Sequence, residues 1–410
     1  MTLKVVSSSL SDYYAKKEFI SSPIYRNFIN SLNSPQTKRS YAHSLFHYYL
    51  KRPENQNLTL EEIISKSTKT IEYEIIEILY DMKERRKLSY ATISTFLSVI
   101  THFFQINDVM INAKKLKKFR GENIAKFEYK AYTHEEIGQL LSLMDERGKA
   151  AVLLMASSGM RVGALPELKL KHLKKWVIAG TNDYLYQITV YANSPKARYT
   201  TFCTPECAKA IDYYLEFRKR HGDNLRQDQD GNWTPGDSFL FIKNFDRNQR
   251  NFLGNLPLQA IFKLGVTPRT IAHSIITRLE AMGDRQRLVL LEDQVSSLSE
   301  RQSLYSQHKH EKHPCHSLRI FAVTNMQRAK LDKTIREMLV GHSTGLDKSY
   351  YKPQDDEILS EYLKAVDLLT ISNENRLKRQ LDFYKQRADK LEMMNSEIEA
   401  IKSRLGINDN

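Results

Sequence analysis

From Ser89 to Gln105 the chain reads SYATISTFLSVITHFFQ, with Ile93, Phe96, Leu97, Ile100, Phe103 and Phe104 at spacings of three and four. That is the period of a helix with one apolar side, and such a side is stable only when buried against other helices. The helical pattern extends over 21–112. In NSPQTKRSYAHSLFHYYL, Ser34 stands before Pro35 as an N-cap stands before a first helical turn. A small all-α domain is expected over 21–112, preceded by a tail at 1–20.

INAKKLKKFRGENIAKFEYKAYT comes next, with Lys114, Lys115, Lys117, Lys118 and Arg120 crowded ahead of a glycine. It reads as a basic interdomain linker over 113–132 whose cations are candidates for DNA contact. A second domain opens at Thr133, spaced from Glu136 as in a capping box, and runs to about 365. It is helical except for DYLYQITVYANSPKARYTTFCT, where β-branched and aromatic residues flank the turn residues Asn193, Ser194 and Pro195. This predicts a hairpin with Lys196 at its tip. The segment 279–312, rich in Arg, Gln and Ser, is assigned helices. The fold class is therefore mainly α, with a small β-hairpin or sheet in the second domain.

A chain of 410 residues holds two or three domains. Its formal charge of +14 favours a polyanionic partner, nucleic acid before an anionic membrane. No run of 18 or more apolar residues appears, and MTLKVVSSSLSDYYAKKEF lacks the apolar core of a signal peptide, so a cytoplasmic protein without a membrane partner is expected. Cys203, Cys207 and Cys315 cannot build a disulfide framework and read as buried, inert thiols.

The tail, residues 366–410, carries Leu377, Leu381, Tyr384, Ala388, Leu391 and Ile398 near a 3-4 spacing, with Asn395 where the next core residue would fall. An alternative seam runs through Met394, Ile401 and Leu405. A short coiled coil, a docking helix, or an amphipathic helix folded back on its own domain all fit.

Three further stretches carry chemistry. In SSGMRVGALPELKL an apolar helix breaks at Gly159 and Arg161 follows. In HPCHSLRIFAVTNM, His316 and Arg319 share a helix face. In REMLVGHSTGLDKSYYKP, Gly341 ends a helix, His342 follows, and Tyr350 and Tyr351 come soon after. A guanidinium offers phosphate a planar fork and keeps its charge, so two special arginines beside histidines and a tyrosine suit attack on a phosphodiester.

The order Gly-x-Arg, hairpin lysine, His-x-x-Arg, Gly-His, Tyr resembles the tyrosine recombinase (phage integrase) family over roughly 21–365. The resemblance implies a two-domain clamp on double-stranded DNA in which Arg161 and Arg319 hold the scissile phosphate. His316 would assist proton transfer, His342 would donate to a non-bridging oxygen, and Lys196 would be the general acid. The family's nucleophile usually lies nine residues after the Gly-His histidine, which lands on Tyr351; Tyr350 is the runner-up. The tyrosine would form a 3′-phosphotyrosine, a chemistry that needs no metal and no nucleotide cofactor. A homotetramer on DNA and integration or excision of a mobile element also follow from the resemblance, which leaves open whether a directionality factor takes part. Where the family commonly has an acidic residue, this chain has Ala164, with Glu167 the nearest substitute, and Ile320 follows Arg319 where a basic residue is frequent.

Other readings stay open. A chromosome resolvase would share the chemistry, and a DNA-binding protein of the same fold would lack it. HKHEKHPCHSL offers His308, His310, His313, Cys315 and His316 as metal ligands, though their spacing fits no standard pairing.

Overall fold

The computed structural model describes residues 21–123, 129–243, 265–281, 312–342 and 351–405, which fall into two units, one within 1–127 and the other from 128 onward. The 1–20 tail and residues 282–311 of the segment assigned helices lie outside the described residues.

In the first unit, α1 (Pro23–Asn30) and α2 (Pro35–Leu45) both begin with proline behind a capping serine; Ser34 Oγ accepts from Thr37 N at 3.5 Å. α3 (Leu60–Ile64) starts with a capping box, Thr59 N donating to Glu62 Oε2 at 2.7 Å. α4 (Thr68–Tyr80) and α5 (Tyr90–Ile106) supply much of the core. Every apolar residue singled out on α5 is buried, and Phe103 meets Phe28 edge to face at 5.4 Å between ring centroids.

The basic run closes this unit. Residues 113–120 form α6 (Ala113–Lys117) and a 3-10 turn (Lys118–Arg120), and Leu116 is buried in the core. Glu72 on α4 receives Asn112 N at 2.8 Å and Lys115 Nζ at 2.7 Å, and these two contacts hold its carboxyl below the usual range. Arg120 lies over the Tyr90 ring at 4.5 Å, while Lys114, Lys117 and Lys118 are exposed.

The second unit is mostly helical around a small antiparallel sheet. α7 (His134–Ser142) begins with the capping box of Thr133 and Glu136, and α8 (Glu146–Ser158) is buried on all sides from Ala150 to Ser158. The sheet has strand order β1 (Leu173–Val177), β2 (Tyr184–Val190), β3 (Tyr199–Phe202), all antiparallel. The hairpin register pairs Val190 with Tyr199 and Gln187 with Phe202. β1 adds an edge strand to the expected hairpin, pairing Leu173 with Ile188. α9 (Pro205–Arg220) follows, then the short pair β4 (Arg226–Gln227) and β5 (Trp233–Thr234).

α10 (Pro268–Ala281), α11 (His316–Arg328) and α12 (Lys333–Leu339) continue the unit. α13 (Asp355–Leu363) and α14 (Val366–Leu369) follow, and Val366, Leu369 and Ile371 are buried in the same core. α15 (Asn373–Leu405) forms the tail. Among the described residues no helix is long and apolar enough to cross a membrane. All three cysteines are buried as free thiols.

Candidate active site

Two glycines bring the arginine and histidine segments together. α8 stops because Gly159 adopts a left-handed conformation (φ 66°), its N–H returning to Met155 O at 3.0 Å. A Cβ there would lie 3.2 Å from Val340 Cγ1 and 3.3 Å from Ala322 Cβ, so the end of α8 can approach α11 and the end of α12 closely. Gly341 is the second (φ 67°): Gly341 N donates to Met338 O at 3.0 Å and His342 N to Glu337 O at 2.9 Å. This pair of bonds is the Schellman end of a helix, which sets the residue after the glycine against the one five positions earlier. A Cβ on Gly341 would sit 2.5 Å from the Tyr199 ring, so no side chain fits.

Arg319 projects from α11 into this junction and is buried. Its Nη1 donates to Gly159 O, its Nη2 donates to Val340 O at 2.9 Å, and Nη2 also faces His342 Nε2 at 2.6 Å. A guanidinium only donates, so His342 Nε2 is the acceptor and the ring proton sits on Nδ1, where the Glu337 carboxylate accepts it. Burial, followed by the charge of Arg161, pushes the Arg319 pKa below its ordinary value, although an arginine in a protein keeps its proton. Among the described residues no carboxylate pairs with it directly. A buried cation held by carbonyls and an imidazole is costly unless an anion joins it, and that is the electrostatic mark of an anion site.

Arg161 follows the break in α8 and is exposed. His316 opens α11, also exposed; burial, then Arg319, then Arg161 lower its pKa. Two guanidiniums and two imidazoles thus share one neighbourhood. Tyr191 and Tyr199 border it from the hairpin, their rings 6.3 Å apart. Burial raises the Tyr199 phenol to about 12, with Arg319 pulling the other way. Neither tyrosine nor Glu337 was picked out by sequence reasoning. The signal for Glu337 lay in the E-x-x-x-G-H spacing, because a left-handed glycine predicts contact between the positions that flank it. The tyrosines carried no local mark.

Lys196 stands exposed on the turn between β2 and β3, where Arg198 N donates to Ser194 O at 2.8 Å. Among the described residues no hydrogen bond or ion pair joins it to the arginines. Tyr351 is exposed, and its hydroxyl donates to Glu357 on α13. That bond, with burial next, pushes its pKa up to about 12, and the further influences on it are Glu357, Asp332 and Glu361. The expected nucleophile therefore sits in acidic surroundings in this structure. Tyr350 lies outside the described residues. Ala164 is buried and Glu167 exposed, at the edge of the site near Tyr191.

Among the described residues no group of three or more His, Cys, Asp or Glu is placed to hold a metal ion. His313 Nδ1 accepts from His316 N at 3.0 Å, and burial raises the Cys315 thiol to about 12. His308 and His310 lie outside the described residues.

No protein-family model and no curated protein matches the sequence. Solved structures of similar arrangement include XerA recombinase, 16% identical with a TM-score of 0.32 over 84% of this chain and 98% of that one. The lambda integrase dimer bound to a COC′ core site is 12% identical, with a TM-score of 0.45 over 80% of this chain and 75% of that one. The Tn1549 transposon integrase in complex with transposon right end DNA is 14% identical, with a TM-score of 0.46 over 83% of this chain and 98% of that one. At that degree of similarity the function is read from the site's own residues.

Proposed function

We propose that this protein is a site-specific DNA recombinase that cuts and rejoins strands through a covalent 3′-phosphotyrosine. The observation that carries the reading is the convergence of Arg161, His316, Arg319 and His342, from three separate chain segments, with the buried Arg319 paired directly to no carboxylate among the described residues. A phosphodiester is the anion that suits it: Arg161 and Arg319 neutralise the non-bridging oxygens, as two planar forks can.

In the reaction, the Tyr351 oxygen forms a bond to phosphorus as the bond from phosphorus to the 5′ oxygen breaks. The phenolic proton passes toward His316, and Lys196 supplies a proton to the departing 5′ oxygen. Once Arg319 turns from the imidazole to the phosphate, His342 takes up a second proton on Nε2 and donates it to a non-bridging oxygen, while its Nδ1–H stays on the Glu337 carboxylate. Attack by a 5′ hydroxyl of another strand reverses the step and releases the tyrosine. Four strands are exchanged, so a homotetramer on two duplexes is the working unit, serving a mobile element with or without a directionality factor. Lys114, Lys117 and Lys118 of the first unit add backbone contacts.

A second reading is favoured by one observation, the hydrogen bond that commits the Tyr351 hydroxyl to Glu357: a DNA-binding protein of this fold that performs no cleavage. One experiment separates the two. Wild type, Tyr351→Phe and Tyr350→Phe proteins are incubated with source genomic DNA, denatured in detergent and recovered, and any attached DNA is sequenced. Adducts at a discrete sequence, lost only in Tyr351→Phe, support the recombinase reading. DNA binding with no adduct, including on a nicked trapping substrate, overturns it.

A further inference from the structure

The tail helix carries apolar side chains, Leu377, Leu381, Leu391 and Ile398, that stand exposed among the described residues. α15 is anchored at its start, where Glu206 accepts the N–H groups of Ile371 and Ser372 at 2.7 and 3.0 Å and Arg379 Nε reaches Asp367 Oδ1 at 3.1 Å. Along the helix, Leu377, Leu381, Leu391 and Ile398 are 65, 53, 54 and 47% exposed, so the stripe is not folded back. A helix of 33 residues with such a stripe gains stability mainly by packing it against a partner.

The stripe has a heptad register. Leu377, Tyr384, Leu391 and Ile398 fall at d positions, and Leu381, Ala388 and Asn395 at a positions. The e positions read Lys378, Lys385, Glu392, Glu399, two cations followed by two anions. In a parallel pair e faces g, and only Arg387 with Glu392 makes an opposite-charge contact. In an antiparallel pair e faces e, so the cationic half of one copy meets the anionic half of the other. The same register sets Leu381 opposite Ile398 and the small Ala388 opposite the large Leu391.

We propose that α15 pairs with α15 of a second copy as an antiparallel two-stranded coiled coil centred near residues 388–391. Lys385 then faces Glu392 twice by symmetry. The pairing supplies a contact for the assembly proposed above without depending on its chemistry. It leaves the two catalytic units at opposite ends of a rod about 40 Å long, given a rise of about 1.5 Å per residue.

Sedimentation velocity of the full-length protein, free of DNA and at physiological salt, where exposed ion pairs are not fully screened, tests the pairing. Wild type is expected to be a dimer, and Leu391→Asp, which buries a charge in the seam, to weaken it by at least about a hundredfold. Lys385→Glu and Glu392→Lys each place like charges opposite one another and weaken the dimer by about tenfold. An equimolar mixture of these two variants, and the double variant carrying both swaps, regain wild-type affinity. Circular dichroism melts confirm that each variant keeps its folded units. A monomeric wild type, or a dimer indifferent to Leu391→Asp, overturns the proposal. Single swaps that weaken the dimer without recovery in the mixture overturn the antiparallel register.

Discussion

Glu337 and His342 are joined twice, by His342 N donating to Glu337 O at 2.9 Å and by His342 Nδ1 donating to the Glu337 carboxylate. The helix end thus fixes the imidazole tautomer as well as its position. With Nδ1 committed, Nε2 is the nitrogen that changes role, accepting from Arg319 in this structure and, once protonated, donating to a phosphate oxygen in the proposed reaction. Glu337→Ala is expected to slow adduct formation by about tenfold while leaving DNA affinity unchanged, and His342→Ala by about a hundredfold or more. Single-turnover adduct formation at the mapped site, with a parallel binding titration, checks both.

The two arginines should separate in their effects on stability. Arg319→Ala leaves the buried carbonyls of Gly159 and Val340 without their donor, and should cost about 1–3 kcal/mol in urea unfolding as well as activity. Arg161→Ala removes an exposed side chain and should change stability by less than about 0.5 kcal/mol while abolishing adducts.

The depressed pKa of His316 gives a pH signature. As the acceptor of the tyrosine proton it acts in the neutral form, so adduct formation should fall on the acid side only below the ordinary histidine value of about 6.5. Burial and two guanidiniums hold it low, so Arg161→Gln moves this limb upward. The rate profile of the variant checks the shift, and an unmoved limb refutes the assignment.

Glu357 keeps Tyr351 protonated. The raised phenol pKa means that the folded state favours the protonated form, an advantage present below about 10, the ordinary tyrosine value, and lost as pH rises through about 12. Glu357→Gln should return the midpoint toward the ordinary value, read as tyrosinate absorbance of Glu357→Gln minus that of Glu357→Gln with Tyr351→Phe. The same substitution should raise the rate of adduct formation if release of this bond limits cleavage.

Gly341→Ala should destabilise the second unit by more than about 1 kcal/mol, because φ is 67° and a Cβ would strike the Tyr199 ring. Urea unfolding gives the comparison, with Gly222→Ala, also left-handed but with nothing near its Cβ, isolating the steric part.

What the sequence determined by itself was local. The apolar stripe of α5, the Ser34 cap, the Thr133 and Glu136 box, the hairpin around Asn193 and the glycine-ended helix before His342 each depend on residues a turn or two apart, and periodicity or capping chemistry encodes them directly. The face shared by His316 and Arg319 is of the same kind. The tertiary structure decided everything that joins distant segments. It made β1 an edge strand, set Tyr191 and Tyr199 beside the arginines, and turned Lys115 onto Glu72. Those pairings have no period, because they come from the packing of separate elements: α6 on α4 in the first unit, and α8 against α11 and the end of α12 against β3 in the second. Local rules specify which helices exist, and only burial of their shared core specifies which side chains meet.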